Sequence, residues 1–299
     1  MKKFTTAAIV SAIALSGTAS ANQMYLDLSA FGGNLHDSSR FIGAPDANTQ
    51  TGSFTEFGFS QMLATSIYDF SDGSVFGSFY DTNILSELTA ASVPTSGLAL
   101  DGVTPVNLVL PNCALGQCDI DALSPLVPPL ATDNEGFLQT WDLQVAYHFD
   151  GVMTAGGPVY TGGTFDVYFN SLINDAFDGL AFSGTLTSST ISAANLDLFF
   201  DITWAAAGFL NIWNGSSFVD ASIYNGDVYN PTLALDTNVN PPIPTANQLL
   251  LVAGANGGLN AIRQTTLDGS ITAHIPEPSS IALFGLGLLG LGAAARRKA

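Results

Sequence analysis

The stretch Trp141-Asp142-Leu143-Gln144-Val145-Ala146-Tyr147-His148-Phe149 alternates without a break. Trp141, Leu143, Val145, Tyr147 and Phe149 fall on one side of an extended chain, and Asp142, Gln144, Ala146 and His148 on the other. Successive strand side chains point to opposite faces, so the pattern predicts a half-buried strand of an antiparallel sheet. Gly163–Asn170 repeats it, with Phe165, Val167 and Phe169 opposed to Asp166 and Tyr168. Leu196–Trp204 does so again, with Leu196, Leu198, Phe200, Ile202 and Trp204 opposed to Asp197, Phe199, Asp201 and Thr203. Weaker strand patterns cover Tyr25–Ala30, Ser53–Phe59, Val75–Tyr80, Phe218–Tyr224, Leu249–Ala253 and Ile262–Leu267.

Turn chemistry points the same way. Asp-Gly stands at 72–73, 101–102, 150–151, 178–179 and 268–269, and Asn-Gly at 214–215, 225–226 and 256–257. Such pairs supply the positive φ angles of tight hairpins. Short strands punctuated in this way predict an all-β antiparallel sandwich or jelly-roll-like domain, and the chain has no 20–50-residue repeat of a propeller or solenoid. The domain is expected over residues 22–274. The proline-rich stretch 111–130 is either a subdivision or a long loop within one unit.

Both ends have their own grammar. Lys2 and Lys3, the apolar Ala7–Leu15 and the small residues Ala19-Ser20-Ala21 form the three parts of a secretory signal over residues 1–21. At the other end, Ile275-Pro276-Glu277-Pro278 precedes an apolar run that closes on Arg296-Arg297-Lys298. Residues 279–295 would make about 26 Å of helix, the lower limit for crossing a hydrocarbon core. The terminal cations fit the cytoplasmic side, which leaves the body outside. Gly285, Gly287 and Gly290 satisfy G-x-G-x-x-G, but no βαβ unit or following acid accompanies them, so a dinucleotide turn is excluded.

The order of Pro276-Glu277-Pro278, apolar helix and Arg296-Arg297-Lys298 resembles the PEP-CTERM sorting signal of Gram-negative bacteria. The resemblance covers residues 275–299. It implies transient anchoring in the inner membrane, processing by an exosortase near Pro276-Glu277-Pro278, and release to the cell surface or matrix. A plain C-terminal anchor is the alternative. Signal peptidase and exosortase are the expected processing partners.

The charge narrows what the body can meet. The chain has 299 residues and a formal net charge of −18, with 7 Lys+Arg against 25 Asp+Glu. Between Asn22 and Ile275 only Arg40 and Arg263 stand against 24 acids, and there is no lysine. That excludes a Walker lysine, a Schiff-base lysine and a basic stripe for nucleic acid.

Chemistry-bearing residues are sparse. Cys113 and Cys118, spaced C-x₄-C in an exported chain, read as a local disulfide worth about 2 kcal/mol. A metal pair would need further ligands, and no His lies near. Asp69 and Asp72, Asp119 and Asp121, and Asp175 and Asp178 are candidates for weak calcium binding. None completes an EF-hand-like loop, and no cofactor is expected otherwise. His36, His148 and His274 are scattered, and neither G-x-S-x-G nor H-E-x-x-H occurs. Trp141 and Trp204 align with the apolar faces and are expected in the core.

The stretch from Leu235-Asp-Thr-Asn-Val239 through Arg263-Gln-Thr-Thr-Leu-Asp-Gly269 also resembles a PEP-CTERM subgroup linked to flocculation. The expectation is therefore a non-enzymatic surface or matrix protein that associates with exopolysaccharide in biofilm or flocculation. The alternative is a carbohydrate-binding module or glycan-active enzyme on a β-sandwich.

Overall fold

The computed structural model describes residues 21–32, 48–110, 124–126, 136–137, 140–172, 176–226, 230–254 and 257–275. In chain order its strands are β1 (Met24–Leu26), β2 (Glu56–Asp69), β3 (Gly77–Thr82), β4 (Ser96–Leu98), β5 (Pro105–Asn107), β6 (Ser124–Leu126), β7 (Trp141–Thr154) and β8 (Gly157–Ser171). Then come β9 (Ala176–Ser192), β10 (Asn195–Ala205), β11 (Leu210–Trp213), β12 (Phe218–Asp220), β13 (Thr232–Asn238), β14 (Leu250–Ala253) and β15 (Leu259–His274). A short helix, α1 (Leu85–Ala90), follows β3.

Eight of these strands form a ring. The order β2-β3-β7-β8-β9-β10-β13-β15 follows the sequence, every neighbouring pair is antiparallel, and β15 returns to β2. That closing seam runs from Asn260↔Asp69 to Thr272↔Glu56. The chain is all-β as its alternation predicts, but one sheet closed on itself replaces the two packed sheets of a sandwich. Twist and local bends coil long strands until the first meets the last, which removes both open edges. Strands from either side of residues 111–130 belong to this one ring.

The ring is filled rather than hollow. Phe57, Phe149, Phe165, Phe182, Leu198 and Phe200 are buried within it, while Asp166 and Tyr168 lie on the other face of β8. This apolar-in, polar-out arrangement is the reverse of a barrel that faces lipid. Outside the wall, Ile67 and Ile262 are covered by Leu88 of α1, Val93, Leu108 and Leu250 in a second small core.

Three Asp-Gly pairs do not make the hairpins expected of them. Asp150-Gly151, Asp178-Gly179 and Asp268-Gly269 lie inside β7, β9 and β15. Register shifts fall at Asp150/Gly151 and at Leu267/Gly269. A β-bulge bends and coils its strand, and glycine allows the close approach that results. At Gly269 a Cβ would stand 2.6 Å from the Phe59 ring. A further shift between Ile202 and Trp204 turns Trp204 outward, 38% exposed, so only Trp141 of the two core candidates is buried.

The two ends of the described body meet. Asn22 N–H donates to the Ala273 carbonyl at 2.9 Å, and the Asn22 side chain donates to the Trp213 carbonyl. β1 pairs β11, which pairs β12, in a small sheet beside this point. Among the described residues no helix is long and apolar enough to cross a membrane. The signal residues 1–20, the motif Pro276-Glu277-Pro278, residues 279–295 and Arg296-Arg297-Lys298 lie outside the described residues.

Candidate functional site

Far from that junction, where β15 begins, the barrel wall bears a groove of about 690 Å³. Asn260 and His274 are separated by about 45 Å of extended strand. Ile67, Phe79 and Tyr80 line the groove, together with Asp69, Glu87, His148, Asp150 and Asn260. β7 supplies His148 and Asp150, β3 supplies Tyr80, and α1 supplies Glu87.

His148 organises the polar side. Its Nδ1 lies 2.7 Å from Glu87 Oε2, and its Nε2 lies 3.4 Å from Asp150 Oδ1. The Tyr80 ring stacks on the imidazole with centroids 5.2 Å apart. Partial burial works against the imidazolium, but Glu87 and then Asp150 outweigh it and hold His148 above the usual histidine range. A histidine held between two carboxylates is committed to them, and it ties α1 to β7. The groove therefore offers a ligand mainly carboxylate and amide acceptors beside an aromatic ring, which suits a neutral partner rich in hydroxyl donors.

A second polar cluster lies inside the barrel. Arg263, Ser66 and Asp81 are register partners on β15, β2 and β3, so they form one row across three adjacent strands. Arg263 and Asp81 are 2% and 6% exposed. Arg263 Nη1 donates to the Pro241 carbonyl at 2.9 Å, and the Tyr160 hydroxyl donates to Asp81 Oδ2. Arg263 Nε and Nη2 and Asp81 Oδ1 have no hydrogen-bond partner. Burial pushes the Asp81 carboxyl up to about 6, against the opposing pull of Ser66, Tyr160, Arg263 and His148. Burial raises Tyr68 to about 12, helped by the Asp81 charge.

The calcium candidates divide. Asp69 Oδ1 accepts from Ser71 N–H at 3.0 Å, and Asp72 Oδ1 from Ser74 N–H at 2.9 Å, so both cap their own turns. Asp119, Asp121, Asp175 and the side chain of Asp178 lie outside the described residues, as do Cys113 and Cys118. Among the described residues no three His, Cys, Asp or Glu side chains are grouped to hold a metal. Sequence reasoning missed Tyr80 and Asp81 and gave Arg263 no role. That Arg263 is one of only two cations between Asn22 and Ile275 was the one available signal.

β15 ends at His274, which pairs Thr232, and Ile275 is buried behind it. The family model of the PEP-CTERM protein-sorting motif matches residues 274–298. The chain carries a PEP-CTERM sorting motif. That motif indicates an exported protein that is processed by an exosortase from a C-terminal membrane-anchored form. The first residue of the PEP-CTERM match is thus the last residue of the barrel, and Pro276 follows within two positions. No curated protein matches the chain.

Proposed function

We propose that, once processed, the barrel is a non-enzymatic structural or adhesive component of the cell surface or extracellular matrix. It acts without a cofactor and takes part in exopolysaccharide-associated biofilm formation or flocculation. The observation that carries this is the PEP-CTERM match at residues 274–298, directly continuous with the last barrel strand. The body's charge supports it: with two arginines against 24 acids it repels nucleic acid and anionic membranes, which suits a life outside the cell. Deletion of the gene is expected to reduce cell aggregation, and re-expression of the full chain to restore it. Aggregation unchanged by deletion would reject the role.

A second reading, a carbohydrate-binding module, is favoured by the groove at Tyr80, Glu87, His148 and Asp150. It lies at the end of β15 remote from the sorting motif, so the anchored form would turn it away from the membrane. Calcium or neutral sugars would have to mediate contact with an acidic polymer. A pull-down on the organism's own polysaccharide, with calcium added or chelated, tests it. Retention lost in Tyr80→Ala supports this reading, and no retention of the unaltered protein under either condition rejects it.

A further inference from the structure

The barrel interior has a polar end that its own side chains leave incomplete. Arg263 spends Nη1 on the Pro241 carbonyl and keeps Nε and Nη2 unpartnered. Those two N–H groups lie on one edge of the guanidinium and form the parallel fork that a carboxylate accepts in bidentate fashion. Asp81 and Tyr68 lie near the guanidinium, but buried N–H groups left without an acceptor are still costly, and the cost is relieved when a partner fills the fork.

The space beside it is defined. Ser66 stands between Arg263 and Asp81 in the cross-strand row, and its small side chain leaves a gap between two longer ones. This gap is part of a cavity of about 20 Å³, lined by Ser66, Asp81, Tyr160 and Arg263 and by Val239 and Pro242. Next to it lies an apolar cavity of about 70 Å³ among Phe59, Tyr147, Phe149, Leu235 and Leu267. Ala64, Asp81, Tyr160 and Leu267 line both. Eight-stranded barrels are wide enough to be filled by side chains or to hold one small ligand.

We propose that the barrel binds a small monocarboxylate with a short apolar chain, its head on the Nε–Nη2 edge of Arg263 over Ser66 and its chain beside Ala64. A water needs roughly 10–15 Å³ of such space, so the apolar cavity of about 70 Å³ accommodates a chain of a few carbons. A phosphate would bring a second negative charge towards Asp81, whereas a monocarboxylate matches the single charge of Arg263. Asp81 Oδ1, which lacks a partner, accommodates a proton and then donates to the bound head. The groups facing Asp81 inside the barrel are Ser66, Tyr160, Arg263 and Tyr68, with His148 acting on it only through its charge from the groove, and burial already favours the protonated form of Asp81. Binding therefore takes up a proton and tightens as pH falls from 7.5 to 5.5.

The test is calorimetric titration and ligand-observed NMR on the secreted, processed protein, with acetate, butyrate and benzoate at pH 5.5 and 7.5. The expected result is saturable, one-site butyrate binding that is tighter than acetate and tighter at pH 5.5. Arg263→Lys keeps the charge without the fork and is expected to weaken butyrate more than tenfold. Ala64→Leu closes the apolar cavity without touching a charge and is expected to abolish butyrate binding, which keeps the test decisive if Arg263→Lys fails to fold. Asp81→Asn is expected to bind with no dependence on pH in this range. No saturable uptake of any of the three acids at either pH would overturn the proposal. So would butyrate affinity unchanged in Ala64→Leu, or a butyrate-soaked crystal with only water on Nε, Nη2 and Oδ1.

Discussion

Asn22 N–H donates to the carbonyl of Ala273 across 2.9 Å, joining the residue after the expected signal cut to the strand that runs into the sorting motif. Residue 22 and the strand that runs into the sorting-motif match therefore meet at one end of the barrel. The Asn22 side chain adds a bond to the Trp213 carbonyl. Asn22→Ala is expected to lower stability by about 1 kcal/mol, the usual worth of one such bond, with export unchanged. Urea denaturation of the secreted protein measures the first, and the amount recovered from the cell surface measures the second.

Asp81 gives the barrel a pH dependence that can be isolated. Its carboxyl titrates at about 6 in the folded state against 3.8 ordinarily, so between those values the folded chain binds more protons than the unfolded one. Stability then falls as pH rises through that window, by roughly 3 kcal/mol in total. Asp81→Asn is expected to remove this slope and to be the more stable protein at pH 7. Urea midpoints at pH 4, 5, 6 and 7 check it, and parallel curves for the two proteins would contradict it.

The bulge in β15 is expected to be intolerant of a side chain. A Cβ at Gly269 would press on the Asp236 backbone carbonyl and on the Phe59 ring, 2.6 Å away, so Gly269→Ala should cost about 1–3 kcal/mol by overpacking. Gly162 has nothing within 4 Å of the same position, and Gly162→Ala should stay within about 0.5 kcal/mol. Thermal unfolding of the two variants side by side is the comparison.

Glu87 is expected to set the titration of His148. With Glu87→Gln the histidine should titrate lower than in the unaltered protein, and its tie to α1 should be lost at a lower pH. The sign follows from the raised value: the tie is fully present below the ordinary histidine pKa of about 6.5 and is lost as pH rises through the folded one. NMR titration of the His148 ring protons reads this directly. An unmoved midpoint would mean that Glu87 does not hold the imidazolium.

The strands with an unbroken two-residue period were legible: Leu196–Ile202 buries one face and half-buries the other, while Trp141–Phe149 buries Gln144 and Ala146 of its second face as well. β9 was not. Its Ser183-Gly-Thr-Leu-Thr-Ser-Ser-Thr190 stretch carries few apolar side chains, and its neighbours β8 and β10 make it a strand. Closure of the ring was also beyond a local pattern, since it depends on Arg263 pairing Ser66 across about two thirds of the chain. Asp-Gly encodes a local conformation and cannot distinguish a hairpin from a bulge, as positions 150 and 268 demonstrate. The groove was hidden for the same reason as the ring: Glu87 and His148 are 61 residues apart and meet only because β3 pairs β7. The sorting motif needed no fold at all, being contiguous.

Mass spectrometry of the C-terminal peptide from surface or matrix material tests the account most directly. Processing by an exosortase predicts a mature chain that ends at or near Pro276-Glu277-Pro278, without the apolar run or Arg296-Arg297-Lys298. Recovery of that material with its intact Arg296-Arg297-Lys298-Ala299 end would contradict it.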